Sequence, residues 1–250
     1  MNLITDHAFL AAMLAYFVVV GPWLGRIEMA GLRRAPADRL PAVRRRAYDT
    51  TMILLWVITA VLLGWWLLMG RGAGEIGLHV QVAGWQWLAV GLSLLVTAIF
   101  ALYYHRVAGR PDDLAKVRGE LGDLALMVPH DAAELRRFGW LSITAGVCEE
   151  ILYRGLLMTA LTAIIGLWPA VFASSLVFGI GHAYQGALGV LRTGAVGLVL
   201  ALVVVLTGSL PAAMLMHAVI DLVQGRLAFV AVNAPAASAE PTLDAAAPAI

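Results

Sequence analysis

The sequence predicts an all-α fold, a polytopic transmembrane helix bundle of about seven spans. Of the 250 residues, 61% are hydrophobic and only 13% are charged, whereas soluble domains average about 45–50% apolar and 25% charged residues. The apolar residues form successive runs, several of them long enough to cross a bilayer, separated by glycine, proline or charged links. The formal net charge is only +1. We therefore expect the lipid bilayer as the surroundings and no nucleic-acid partner.

The predicted spans follow the apolar runs in order. The first run has no basic segment before it and no clear cleavage site, so we interpret it as a retained span rather than a signal peptide. Asp131 and Glu134 form a helix start signal ahead of the fourth run. The predicted spans are 8–24, 51–69, 85–104, 138–166, 169–182, 187–206 and 212–224.

The chain divides into four predicted parts. Residues 106–137 carry apolar side chains at roughly helical spacing, which indicates an amphipathic helix on the membrane surface, although a solvated loop explains them equally well. The end of the chain is rich in Ala and Pro and is predicted to be disordered. The parts are three N-terminal spans (1–105), a cytoplasmic or interfacial connector (106–137), a four-span catalytic core (138–225) and a tail (226–250).

The basic residues predict the orientation. Of the 17 Lys and Arg residues, seven lie in residues 26–49 and six in residues 105–137. Alternating spans place both segments on one side of the membrane, and an excess of basic residues marks the cytoplasmic side. We therefore predict a multi-pass protein of the bacterial inner membrane with a cytoplasmic C-terminus.

Three charged residues stand inside the fourth apolar run, where charge is expensive and usually functional. Glu150 and Arg154 are four residues apart on a helix and can neutralise each other. Glu149 is rotated by about 100° from Glu150, so it is free to face another element. The sequence thus predicts a paired, structural carboxylate beside a carboxylate that is available for chemistry.

Two histidines in later apolar runs are the candidate partners of Glu149. His182 lies four residues after Phe178, and His217 lies four residues before Asp221. A single histidine in a membrane helix is often only a hydrogen-bonded bundle residue, whereas two histidines together with Glu149 favour a functional site. The three groups can meet in the cytoplasmic half of the membrane, although the sequence does not require it.

These motifs resemble those of the CAAX-protease and bacteriocin-processing family of intramembrane endopeptidases, also called CPBP or Abi. The chain carries them as E-E-I-L-Y-R-G at 149–155, F-x-x-x-H at 178–182 and H-x-x-x-D at 217–221. Each motif alone is weak, but three in order on successive apolar runs are specific. The resemblance covers about residues 129–225.

The resemblance implies roles for the motif residues. Glu149 matches the catalytic glutamate, which with His182 would activate a water for attack on a peptide carbonyl. His217 and Asp221 match the group that stabilises the oxyanion. Well-characterised members carry Asn where this chain carries Asp221. Because an ionised Asp cannot donate a hydrogen bond, Asp221 would have to be protonated or would instead orient His217.

The resemblance also bears on the other motif residues and on whether a metal is bound. Glu150, Arg154 and Phe178 are predicted to be structural or orienting. The family is frequently labelled a metalloprotease, and Glu149, His182 and His217 are the ligands that a zinc ion would take. No H-E-x-x-H helix is present, and the resemblance to a metal-free glutamate mechanism favours no metal and no cofactor.

The leading functional hypothesis is an intramembrane endopeptidase that cuts a peptide or a membrane protein near the cytoplasmic face. Two other classes remain open at this point. One is a non-catalytic, immunity-like protein that binds a partner on the same scaffold, and the other is an ion- or proton-coupled transporter that uses Glu149 and the histidines.

Overall fold

The computed structural model describes residues 3–79 and 83–234, and these residues are organised as helices without strands. The π-helical segments Tyr16–Val20 and Glu150–Leu157 join α1 to α2 and α6 to α7, and short 3₁₀ helices lie at Ala73–Ile76, Gly122–Met127 and Ala183–Gln185. The α-helices are α1 Leu3–Ala15, α2 Gly21–Arg34, α3 Leu40–Leu68, α4 Gln86–Ala108, α5 Pro111–Leu121, α6 Ala132–Glu149, α7 Met158–Ile165, α8 Leu167–Gly181, α9 Gly186–Thr207 and α10 Leu210–Asn233.

Within the described residues, five helices are long and apolar enough to cross a membrane: Asp6–Arg34, Leu40–Leu68, Gln86–Ala108, Ala183–Thr207 and Leu210–Asn233. The all-α transmembrane fold class is therefore confirmed. The two other predicted spans are the α6–α7 helix, which carries the charged cluster, and α8, a shorter apolar helix. The count of seven spans stays a prediction.

The last helix extends beyond its predicted end. Residues 226–233 were assigned to the tail, but α10 continues to Asn233. Leu227 and Ala231 are buried against Leu114 of α5, and Arg118 donates from Nε to the Ala231 carbonyl at 2.7 Å. Burial of this apolar face keeps the segment helical. The rest of the predicted tail, from residue 235, lies outside the described residues.

A buried ion pair anchors the start of α6. Arg44 Nη1 donates to Glu134 Oε2 at 2.7 Å, and both side chains are almost fully buried. Arg44 Nε also donates to the Leu126 carbonyl at 2.8 Å, and Tyr48 donates to the carbonyl of Met127. The Arg44 guanidinium is therefore a structural link between α3, α6 and the connector, in addition to its place in a basic segment.

The helix start signal before α6 is present in the structure. The Asp131 side chain accepts hydrogen bonds from the backbone N–H groups of Ala133 and Glu134. These bonds favour the carboxylate, so the donor at Glu134 and then that at Ala133 hold the pKa of Asp131 below its usual range. Glu134 accepts from the backbone N–H of His130 at 2.9 Å. Together these bonds set where the helix that carries Glu149 begins.

The links between the spans gather at two ends of the bundle. At one end, the backbone N–H of Leu210 donates to the Gly77 carbonyl at 3.0 Å, and Arg71 pairs with Asp6. At the opposite end, ion pairs join the connector region to α2, α3 and α9: Arg33–Asp123, Arg137–Asp49 and Arg192–Glu120. This distribution agrees with helices that alternate in direction.

The close contact between α6 and α10 leads to a prediction. A Cβ at Gly146 would lie 2.8 Å from both Cβ and N of Ala218, so Gly146→Ala must push the two helices apart. We expect a loss of about 1–3 kcal/mol in the free energy of unfolding and a fall in any activity of the site, because Glu149 and His217 lie on these two helices. Thermal unfolding in detergent measures the first effect.

Gly139→Ala is the matched control for this change. Gly139 also lies on α6 and faces α10, but its Cβ would meet only Leu222 Cδ2 at 3.6 Å, an ordinary contact. We expect a change within about 0.5 kcal/mol. Equal unfolding temperatures for the Gly146 and Gly139 variants would contradict the role of the close crossing.

Candidate functional site

The two neighbouring glutamates have different environments. Glu150 is fully buried, and its Oε1 accepts a hydrogen bond from Arg154 Nη1 at 2.8 Å. Arg154 also donates from Nη2 to the Gly197 carbonyl at 2.9 Å, and its Cζ lies 4.3 Å from the centre of the Phe178 ring. The predicted Glu150–Arg154 pair is present, and it is held between α9 and α8.

His217 enters the cluster from α10. Its Nδ1 lies 2.8 Å from Glu150 Oε1, so Nδ1 carries the hydrogen and donates to the carboxylate. The other ring nitrogen, Nε2, lies 3.9 Å from Glu149 Oε2 and 3.6 Å from Asp221 Oδ2. The imidazole is thus oriented by Glu150, while its free edge faces Glu149 and Asp221.

The three carboxylates of the cluster also differ in how far their side chains are exposed. The side chains of Glu149 and Asp221 are 15% and 33% exposed, whereas that of Glu150 is 0% exposed. Glu149 is the last residue of α6, directly before the π-helical segment that begins at Glu150. A π-helical turn changes the register of the side chains and is frequent at functional sites. Glu149 is therefore the carboxylate of the pair that a substrate and a water can reach.

His182 reaches the cluster through Phe178. The Nδ1 of His182 lies 2.9 Å from the Phe178 carbonyl, to which it donates, so its Nε2 is the nitrogen with a free lone pair. The Phe178 ring centre lies 4.9 Å from that of His182 and 5.7 Å from that of His217. Phe178 therefore positions both imidazoles. Among the described residues His182 makes no direct ion pair with Glu149.

The candidate zinc ligands do not assemble as a metal site. In residues 3–79 and 83–234, no group of three or more His, Cys, Asp or Glu side chains is arranged to hold a metal ion. Glu149 lies within 4 Å of His217, and it forms no ion pair with His182 among the described residues. The three predicted ligands are therefore not gathered around one point in this structure.

The first helix also contributes to the surroundings of the site, although the sequence assigned it no role. Phe17, in the π-helical segment Tyr16–Val20, packs on Tyr153 with ring centres 4.4 Å apart. Tyr153 in turn lies 5.0 Å from Phe178. No motif in the first run signals this contact, because it depends only on how the helices pack.

A comparison with protein families supports the resemblance. Residues 132–223 match the family of type II CAAX prenyl endopeptidases described as Rce1-like. This segment matches the CAAX protease family. It spans α6 to most of α10 and contains every motif residue discussed above as well as Tyr153, whereas Phe17 and the rest of α1 and α2 lie outside it. No curated protein and no solved structure matches the chain significantly.

The apolar helices indicate an integral membrane protein, and the matched segment is similar to a family of intramembrane proteases. Such an enzyme must bring a peptide bond, a water and a proton acceptor together inside the bilayer. The cluster offers one partly exposed carboxylate, one imidazole with a free nitrogen and a second imidazole held in a fixed orientation.

Proposed function

We propose that this protein is an intramembrane endopeptidase that hydrolyses a peptide bond of a peptide or a membrane protein near the cytoplasmic face. The observation that carries the proposal is the pair of unlike glutamates. Glu150 is neutralised by Arg154 and orients His217, which leaves Glu149 partly exposed at the free edge of that imidazole. A structural bundle residue needs no such arrangement, whereas hydrolysis does.

In the proposed reaction, Glu149 accepts a proton from a water whose oxygen attacks the peptide carbonyl carbon. The free Nε2 of His182 accepts a hydrogen bond from the second hydrogen of that water and so orients it. The carbonyl oxygen gains the negative charge of the tetrahedral intermediate. Glu149 then returns its proton to the leaving nitrogen, the C–N bond breaks, and a new carboxyl end and a new amine end are released.

His217 is the proposed donor to the oxyanion. Its Nδ1 already donates to Glu150, so in the imidazolium form Nε2–H is the donor that remains for the substrate oxygen. Asp221 lies 3.6 Å from this nitrogen, where in its protonated form it is a second donor to the oxyanion. Asp221 therefore acts beside His217, while Glu150 determines the orientation of the ring.

The proposed orientation rests on charge. The basic residues of α2 and of the start of α3 lie at the same end of the bundle as those of the connector, where Arg33 pairs with Asp123 and Arg192 with Glu120. An excess of basic residues marks the cytoplasmic side. We propose that this end and the C-terminus face the cytoplasm of a bacterial cell.

A cleavage assay tests the proposal directly. Purified protein in nanodiscs is incubated with a set of internally quenched peptides, and proton flux is measured in vesicles that contain the same protein. We expect peptide cleavage. Flux without cleavage would instead support a transporter, and neither activity would support a protein that only binds a partner.

The replacement of Asp221 by asparagine gives a second prediction. Because Glu150 and not Asp221 takes the Nδ1 hydrogen of His217, Asp221→Asn leaves the ring oriented and adds a permanent donor beside Nε2. We expect kcat within about threefold of wild type, since the loss of a properly made oxyanion donor would instead cost about 10²–10³-fold. The measurement is kcat for the same peptide in both proteins.

The same samples test the metal. Wild type and Asp221→Asn are assayed with and without a strong chelator, and bound zinc is measured by elemental analysis. We expect no effect of the chelator on either protein. A chelator-sensitive activity that added zinc restores would move Glu149, His182 and His217 from water activation to metal ligation.

A further inference from the structure

A cleft of about 630 Å³ opens beside the candidate site. Its walls are Arg26, Met29 and Arg33 of α2, residues 120–124 of the connector and residues 183–186 of the turn that follows His182. This volume is in the range of about 300–1,000 Å³ that is typical of ligand pockets. The cleft therefore joins α2, which lies outside the matched segment, to the turn directly after His182.

Tyr184 forms the boundary between the cleft and the site. It lines the cleft, and its ring centre lies 5.9 Å from that of His182. On its other side, Gly25 of α2 comes so close that an added Cβ would lie 2.9 Å from Tyr184 Cδ1. A peptide segment bound in the cleft would thus be separated from His182 only by the ring of Tyr184.

The charges that line the cleft are compensated except for one. Arg33 pairs with Asp123 at 2.7 Å, and Glu120 pairs with Arg192 at 3.5 Å. Arg26 forms no hydrogen bond or ion pair among the residues that the structure describes. The cleft consequently offers one guanidinium that is free to bind an anionic group, and a guanidinium matches a carboxylate in geometry as well as in charge.

We propose that this cleft binds the substrate segment that leaves the membrane next to the scissile bond, and that Arg26 selects substrates with a carboxylate there. The carboxylate is either an acidic side chain or the C-terminal carboxylate of the substrate. This inference rests on the proposed endopeptidase function. It assigns α2, which the family match does not include, to substrate selection.

Four internally quenched peptides test the selection. The four peptides have the same sequence except at one position beyond the scissile bond, which is Glu in two of them and Gln in the other two. Each version is made with a free and with an amidated C-terminus. Wild type is expected to cleave the preferred carboxylate peptide with a kcat/KM about 10-fold higher than its neutral counterpart, because hydrogen bonds to charged groups are the stronger ones. We expect this difference in kcat/KM to come from a lower KM. The peptide that shows the difference identifies which carboxylate Arg26 binds.

The variants Arg26→Gln and Arg26→Glu should abolish this preference, so that the carboxylate peptides are cleaved no better than their neutral counterparts. Arg34→Glu is the matched control, because Arg34 is an exposed arginine on the same helix that does not line the cleft. It should keep the preference. Equal cleavage of all four peptides by wild type, or an equal loss for all of them in the Arg26 and Arg34 variants, would overturn the selection.

Peptide binding separates this proposal from the proposed function. Fluorescence anisotropy with the same four peptides is measured on wild type in nanodiscs of neutral lipid and of neutral lipid with anionic lipid added. Binding of carboxylate peptides that depends on Arg26 but is not followed by cleavage would contradict the proposed endopeptidase function and support the proposed role of the cleft. No carboxylate preference in binding, or an effect of Arg26 that depends only on anionic lipid, would overturn the cleft proposal.

Discussion

Replacing Glu149 by glutamine is expected to lower kcat for peptide cleavage by about 10²–10⁴-fold, the usual contribution of a general base. The glutamine keeps the size of the side chain at a partly exposed position but cannot accept the proton of the attacking water. Because Glu149 is not the partner of Arg154, the change leaves the buried ion pair intact. We therefore expect normal yield and a normal unfolding temperature together with the loss of turnover.

Glu75→Gln is the control for this experiment. Glu75 is an exposed glutamate near the opposite end of the bundle, where it accepts a hydrogen bond from the Gly72 N–H, and glutamine can accept the same bond. Its activity should equal that of wild type. Turnover near the wild-type level in well-folded Glu149→Gln would show that another group activates the water.

The second large effect is expected at Glu150. Glu150→Gln leaves the Arg154 guanidinium buried without a counter-charge, since both side chains are 0% exposed. Breaking a buried pair by removing one partner costs about 3–5 kcal/mol, a large share of the stability of an ordinary domain. We expect a strong fall in folded, monodisperse yield and in unfolding temperature. Glu150→Gln should thus fail mainly in folding, and Glu149→Gln mainly in catalysis.

A double variant separates charge from orientation. In Glu150→Met with Arg154→Met, neither charge remains buried, and such apolar replacements are often close to neutral for stability. Folded yield should recover, but activity should not, because His217 has lost the acceptor for its Nδ1–H. A Glu150→Gln protein as stable as wild type, or an active double variant, would contradict the role assigned to the pair.

The local patterns of the sequence were sufficient for the fold class and for the faces of the motif helices. Hydropathy predicts the all-α membrane bundle because every backbone polar group in lipid must be satisfied within a helix or a barrel. Spacing by four residues predicts the Glu150–Arg154 pair, because such residues are neighbours on one helix face. The order of the three motifs led to the family that residues 132–223 match.

The tertiary structure alone decided which groups meet across helices. The sequence left open whether Asp221 serves the oxyanion in its protonated form or orients His217. In the structure Glu150, on another helix and 67 positions away along the chain, accepts the Nδ1 hydrogen of His217. Arg44 and Glu134 pair across 90 positions, and Arg26 of α2 lines the same cleft as the turn after His182. Periodicity describes one helix at a time, whereas these contacts depend on helix crossings and on the π-helical turn at Glu150, and no local pattern in this chain encodes either of them.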